Sequence, residues 1–384
     1  MTGQAVPGHE PTKQSTVPAS DMRYGGDRRH RRRRQQLFAL GLLLVAVCLV
    51  SVSVGAVTVR PGQVLGILVQ ALTGIDPGAV GAGWLGDWGR REETVLMAVR
   101  LPRLILGLLI GAALGISGAV LQGLFRNPLA DPALIGVATG AALGAVMMIV
   151  LGAPLIVMLP YVLGQLMIPA AAFVSGLLVT ALVYGLSQRQ GGTDVSILLL
   201  AGVAMNAISA AVVGLMVFIS NDQELRDLNF WMLGSVAGAS WTRILLILPF
   251  VAIACGGLLT MWRFLNAVLL GEEAAAHLGL NVERTKRLAV LFVALATAGA
   301  VAMTGVVAFV GLTVPHIIRL LFGPDHRVLL PGSVLGGALV IVVADLLART
   351  LAVPADLPLG VVMSLAGGPF FIWLLVRKRG LGQW

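Results

Sequence analysis

LPRLILGLLIGAALGISGAVLQGL, residues Leu101–Leu124, is an apolar run interrupted by a single charge, Arg103. Roughly 20 apolar residues suffice for a helix to cross the hydrocarbon core of a bilayer. Backbone groups find no water there, so a run of this length closes its hydrogen bonds on itself as a helix. Working outward, further apolar runs occupy 37–59, 134–151, 163–186, 196–219, 242–262, 288–303, 306–321, 328–351 and 361–376. The turn between 288–303 and 306–321 is the least marked of the breaks, and a short amphipathic piece lies near 230–236. Small residues recur within the runs, as in GAALGISGA and LATAGAVAMTG. Glycine and alanine let membrane helices approach closely. The expected fold is an all-α integral membrane protein with ten transmembrane helices.

Composition points the same way. The chain has 384 residues, 57% hydrophobic and only 12% charged, with a mean hydropathy of +0.91. A soluble chain of this length needs far more charge to cover its surface. The bilayer acts as solvent here, so residues 37–384 read as one helical domain. Residues 1–36 are polar, rich in Pro, Gly and Arg, and expected to be disordered.

The net charge of +9 is unevenly spread: residues 28–34 hold six arginines and one histidine. Such a block suits nucleic acid or an anionic membrane surface. No aromatic or groove-reading partner accompanies it, so no nucleic acid is expected. The block directly precedes an apolar run, the position of a positive-inside anchor. That run is longer than the roughly 7–15 apolar residues of a signal peptide and lacks a clean cleavage site, so it is expected to stay as the first span. Ten spans place both termini on one side. With the N-terminus inside, cytosolic segments collect the 28–34 block, Arg126, Arg189, Arg263, Arg284, Lys286, Arg287, Arg327 and the basic residues of 377–379. Outer segments hold Arg60, Arg90, Arg91, Arg100, Arg226 and Arg243, with Arg103 and Arg349 near the boundary. This bias favours cytosolic termini. Cys48 and Cys255 lie in apolar runs at no metal or haem-attachment spacing and read as ordinary buried thiols.

The largest inner loop, residues 263–287, contains GEEAAAHLG (271–279), a helix-forming core stopped by glycine. By composition alone it is a solvated surface helix. No G-x-x-x-x-G-K-[ST] occurs, so the chain has no phosphate-cradling loop of that kind and is not expected to be an ATPase. Asp345 sits four residues before Arg349, on the same helix face. An ionisable residue within a span is a functional candidate. The spacing favours an intrahelical pair that orients Arg349 over a proton relay.

GEEAAAHLG resembles the EAA loop of bacterial ABC importer permeases. RLPRLILGLLIGAALGISGAVLQGLFRNPLADPALIG (100–136), VAFVGLTVPHIIRLLFGPDHRVLLPG (307–332) and ADLPLGVVMSLAGGPFFIWLL (355–375) resemble hallmarks of the permease family that imports cobalamin, siderophores and haem. The resemblance covers nearly everything after Leu37. It implies ten spans per subunit, a homodimer with the pathway between the two copies, two copies of a separate ATP-binding ATPase, and a periplasmic binding protein, all at a bacterial inner membrane. Glu272, Glu273, Ala274, Ala275 and Gly279 match the ATPase-coupling loop. Arg100, Arg103 and Arg349 match positions that face carboxylates on the binding protein, where charge pairing guides docking. Asn127 and Leu129 of the N-P-L-A turn, with Val195 and Ser196 at the mouth of the fifth span, match a cytosolic gate; Val195 departs from the hydroxyl residue of the cobalamin relative. Met205 and Met216 fall on the span that lines the pathway in relatives and read as adaptable apolar lining. His316, in T-V-P-H, is expected to be structural. No permanently bound cofactor and no metal site are expected. SNDQELRDLNFWMLGSVAGASW (220–241) and NAVLLGEEAAAHLGLNVERTKR (266–287) resemble haem permeases more than cobalamin ones, so haem is the expected cargo. The alternatives are a ferric siderophore or cobalamin carried by the same machine, a proton-coupled carrier using Asp345, or a passive channel.

Overall fold

The computed structural model describes residues 19–55, 57–75, 87–189, 192–353 and 355–379. Sixteen α-helices are assigned among them. In order they are α1 (Ala19–Ser53), α2 (Pro61–Thr73), α3 (Arg90–Thr94), α4 (Leu101–Leu124), α5 (Val137–Leu151), α6 (Ala153–Met158), α7 (Tyr161–Leu186) and α8 (Val195–Ile219). Then come α9 (Asp222–Leu233), α10 (Trp241–Thr260), α11 (Trp262–Val268), α12 (Glu272–His277), α13 (Val282–Thr304), α14 (Val310–Phe322), α15 (His326–Leu351) and α16 (Leu359–Arg379). A π-helical stretch, Val95–Arg100, joins α3 to α4, and a 3₁₀ turn, Pro132–Ile135, precedes α5. A two-stranded hairpin pairs Gln188 with Thr193 and Arg189 with Gly192.

Among the described residues, seven helices are long and apolar enough to cross a membrane: those within α1, α3–α4, α7, α8, α10, α13 and α15. The shorter apolar helices α5 and α14, and the apolar part of α16 (Leu359–Leu374), overlap the remaining expected runs. Several boundaries differ from expectation: α13 starts at Val282 rather than at 288, inside the expected inner loop, and α14 starts at Val310 rather than at 306. Helix α1 starts at Ala19, inside the segment expected to be disordered; residues 1–18 of that segment lie outside the described residues. A nucleated helix extends at little cost per residue, so the arginine block continues the first span backward. That span ends at Ser53 rather than at residue 59. The amphipathic piece near 230–236 is the end of a longer helix, α9, started by an Asn221–Glu224 capping box.

Helix α4 lies at the centre, with 78% of its best apolar window buried. Its glycines recur at 107, 111, 115 and 118, one per turn on one face. A Cβ at Gly111 would lie 2.3 Å from the Gly337 carbonyl, and one at Gly115 would lie 2.2 Å from that of Ser333. The α4 and α15 backbones therefore touch, as small residues at helix interfaces permit. Helices α5 with α7, and α10 with α13, form the flanking pairs.

Between α13 and α14 the backbone leaves the helix over 305–309. Gly305 (φ 74°) and Phe309 (φ 69°) take left-handed conformations there. Irregular backbone survives in such a bundle only where neighbours satisfy it. The Thr304 carbonyl accepts from Ser235 N at 2.7 Å. In α14, Pro315 has no N–H for the Gly311 carbonyl four residues back. Gln122 Nε2 on α4 reaches that carbonyl at 3.3 Å and the Leu312 carbonyl at 3.2 Å.

Candidate functional site

The chemistry of this chain sits at its two ends and along one helix face. At one end, α12 stands between Gly271 (φ 114°) and Gly279 (φ 81°), both in backbone regions that favour glycine. Glu273, Ala276 and His277 face outward, and Leu278 just after the helix is 66% exposed. Ala275 is fully buried. Of the five expected coupling residues, Ala275 therefore anchors α12 to its own chain and presents nothing to a partner. Glu272 turns inward: its Oε2 accepts from Lys286 Nζ on α13 at 2.7 Å. Lys286 is buried and also meets Glu283 at 3.4 Å. Glu283 in turn accepts from the backbone N (3.0 Å) and Oγ1 (2.8 Å) of Thr193 in the hairpin. Helix α12, the base of α13 and the hairpin before α8 form one hydrogen-bonded unit.

At the opposite end the three expected docking arginines converge, each already engaged within the chain. Arg100, 7% exposed, donates to the Val52, Ser53 and Val57 carbonyls. These include carbonyls that the end of α1 leaves without helical partners. Arg349 donates to the Ser51 and Val54 carbonyls and to Ser51 Oγ. Arg103 bridges Asp345 and Asp356, both at 2.7 Å. The Asp345–Arg349 pair on α15 is present at 3.6 Å, but the shorter partner of Asp345 is Arg103 across the α4–α15 interface. Sequence spacing could show only the i,i+4 partner.

The expected gate residues fall on two neighbouring elements at the α12 end. Asn127 Oδ1 accepts from Leu129 N at 2.9 Å and closes the turn, leaving Leu129 48% exposed. Val195 opens α8 half-buried and Ser196 is exposed; Asp194 caps both Ser196 and Ile197 amides. The weld between the two elements was missed in the sequence. Asn206 of α8 donates to the Ala133 carbonyl at 3.3 Å, and its Oδ1 accepts from Thr139 Oγ1 at 2.5 Å. A Cβ at Gly202 would lie 1.8 Å from the Leu134 carbonyl. A polar Asn inside an apolar run was the available signal.

The methionines do not share one surface. Met205 is half-buried against the main core. Met216 is buried against Val146, Ile149 and Leu228. Leu200, Val203, Ala207, Ala211, Gly214 and Phe218 instead form an exposed stripe along α8 at helical spacing. His316 is buried on α14, its ring edge-on to Phe370 of α16 at 6.3 Å.

A bundle of apolar helices, built around a glycine-lined core and carrying a short two-glycine helix at one end, defines a membrane permease. The chain belongs to the FecCD transport family, whose model matches residues 43–377. It is 40% identical to the hemin transport system permease protein HmuU of Yersinia pestis over 333 residues, 84% of this chain and 97% of that one. It is also 40% identical to the cobalamin import system permease protein BtuC of Halobacterium salinarum over 360 residues, 88% of this chain and 94% of the relative. Among solved structures, one described as a metal-chelate type ABC transporter in an inward-facing conformation matches with a TM-score of 0.76 and 29% identity. The match covers 90% of this chain and 99% of that one. The chain is the permease subunit of a type II ABC importer.

Proposed function

We propose that this permease imports haem across a bacterial inner membrane, working as a homodimer of ten-span subunits with both termini in the cytosol. Two ATPase subunits bind the α12 face, and a periplasmic binding protein delivers cargo to the opposite face. The observation that carries the coupling role is α12 itself, presenting Glu273 while Glu272 and Ala275 tie it to the bundle. The second copy seats on the α8 stripe, where Ala207, Ala211 and Gly214 offer the small residues that close helix approach requires. Only 17% of the α8 window is buried within one chain, which leaves that face for a partner copy and the pathway.

The binding protein docks over Arg100, Arg103 and Arg349. Among the described residues, the three guanidinium groups there pair with no carboxylate besides Asp345 and Asp356, and the surplus positive charge suits a partner with an acidic rim. Haem as cargo draws support from the 220–241 stretch and from the similarity to the hemin permease. Cobalamin is the second reading, favoured by a cobalamin permease at the same 40% identity. The test is ATP-dependent uptake into proteoliposomes containing the chain, its ATPase and its binding protein, with haem, cobalamin and a ferric siderophore offered separately. Haem accumulation that stops without ATP is expected. Accumulation of another cargo alone would remove haem, and uptake driven by a proton gradient without ATP would refute the coupling scheme.

A further inference from the structure

At the α12 face, several arginines lie around Asp325. Arg33 of α1 pairs with Asp325 at 2.7 Å. Asp325 caps α15 through the Arg327 amide at 3.0 Å and accepts from Asn266 Nδ2 of α11 at 2.9 Å. Beside this node, the Trp262 ring is approached by two guanidinium groups, Arg263 at 5.1 Å and Arg327 at 5.6 Å from its centroid. Arg34, Arg263 and Arg327 are exposed, and among the described residues none of them pairs with a carboxylate. Arg34 precedes Phe38 by one turn, and Phe38 is 75% exposed on a helix that crosses the membrane. Its guanidinium therefore lies directly above the lipid-facing side of α1.

We propose that the α12-face ends of α1, α11 and α15 form a binding site for the headgroup of an anionic phospholipid, its phosphate held by Arg34, Arg263 and Arg327 beside Trp262. Guanidinium forks match phosphate oxygens, and a tryptophan at headgroup depth is a usual interfacial anchor. Basic clusters at the cytosolic ends of membrane helices recognise anionic headgroups in this way. A lipid fits better than the soluble ATPase because Arg34 shares its face with Phe38, an exposed aromatic at the end of an apolar span. Asp325 sets the strength of the site by neutralising Arg33, and through Asn266 it reports to α11, the helix that leads into α12. The inference uses the cytosolic orientation proposed above, but neither the cargo nor the coupling scheme.

The test is native mass spectrometry of the full chain purified in detergent and titrated with phosphatidylglycerol or phosphatidylcholine. Phosphatidylglycerol should be retained at least about tenfold better. The triple variant Arg34→Gln, Arg263→Gln, Arg327→Gln should lose that preference. A matching triple at the other face, Arg60→Gln, Arg90→Gln, Arg226→Gln, should keep it. Asp325→Asn preserves the helix cap and frees Arg33, so it should tighten phosphatidylglycerol retention about fivefold. Equal retention of both lipids by the wild-type chain would overturn the proposal, and so would weaker retention in Asp325→Asn. A triple variant that still prefers phosphatidylglycerol but no longer copurifies with the ATPase would assign the patch to the protein partner instead. These readings need neither transport nor ATP, so failure of the transport scheme leaves them intact.

Discussion

Replacing Gly118 by alanine places one methyl group where two backbones already meet. Its Cβ would lie 1.8 Å from the Gly311 carbonyl oxygen and 2.6 Å from the Gly311 Cα, against the 3.4 Å at which ordinary contact begins. No rotamer change relieves the clash, because the opposing atoms are main chain. Helices α4 and α14 would have to part by most of that difference. Overpacking of a tight core costs about 1–3 kcal/mol, and contact with rigid backbone argues for the upper end. The same displacement stretches the Gln122 bonds to the Gly311 and Leu312 carbonyls, a further loss of ~1 kcal/mol. The assay is thermal denaturation of the purified protein in detergent, followed by retention of the folded species on gel filtration. Gly256→Ala on α10 is the control: nothing lies within 4 Å of its Cβ position, and alanine in a helix interior gains up to ~1 kcal/mol. Gly118→Ala should melt well below wild type and Gly256→Ala at or above it. A Gly118→Ala protein as stable as the control would refute the close α4–α14 contact.

Three further outcomes are expected. Glu273→Arg should release the ATPase on purification while leaving the permease folded, since Glu273 is exposed and makes no ion pair among the described residues; a complex that remains intact and active would remove α12 as the seat. Lys286→Met should leave ATP hydrolysis near wild type but lower the cargo moved per ATP, because it detaches Glu272 from α13; an unchanged transport-to-hydrolysis ratio would count against that link. Arg103→Met should cost about 3 kcal/mol by leaving Asp345, which is 4% exposed, only its longer 3.6 Å contact with Arg349. Adding Asp345→Asn should recover most of the loss in a double-mutant cycle, and strictly additive losses would show that the pair is not coupled.

Much of the bundle was legible because each apolar run is its own evidence: length and the absence of charge are local properties. The runs at 163–186, 196–219 and 328–351 reappear within two residues of their ends as parts of α7, α8 and α15. Partnership across the bundle was not legible. Asp345 has a neighbour four residues away in sequence and a nearer one 242 residues away, and only the second requires the fold. Helix α2, Pro61–Thr73, escaped because a 13-residue amphipathic helix, packed in a small cluster of its own with Val52, Val59 and Leu96, is too short to register as a span. The coupling segment was visible as a local helix between glycines, yet the inward turn of Glu272 and Ala275 depends on α13 and could not be read from spacing. On α8 the methionines are a weaker signal than the stripe of exposed small and apolar residues at helical intervals.

The break in the chain after α13 has a mechanical consequence. Helix α13 is a rod of 23 residues, about 35 Å at 1.5 Å per residue. Lys286 clamps its lower end to α12, and the Thr304 carbonyl bonds its upper end to Ser235 just beyond α9. The irregular residues 305–309 then disconnect that rod from α14, so the two helices need not swing together. A push delivered at α12 would thus reach the far face along one stiff helix, with residues 305–309 separating that helix from α14.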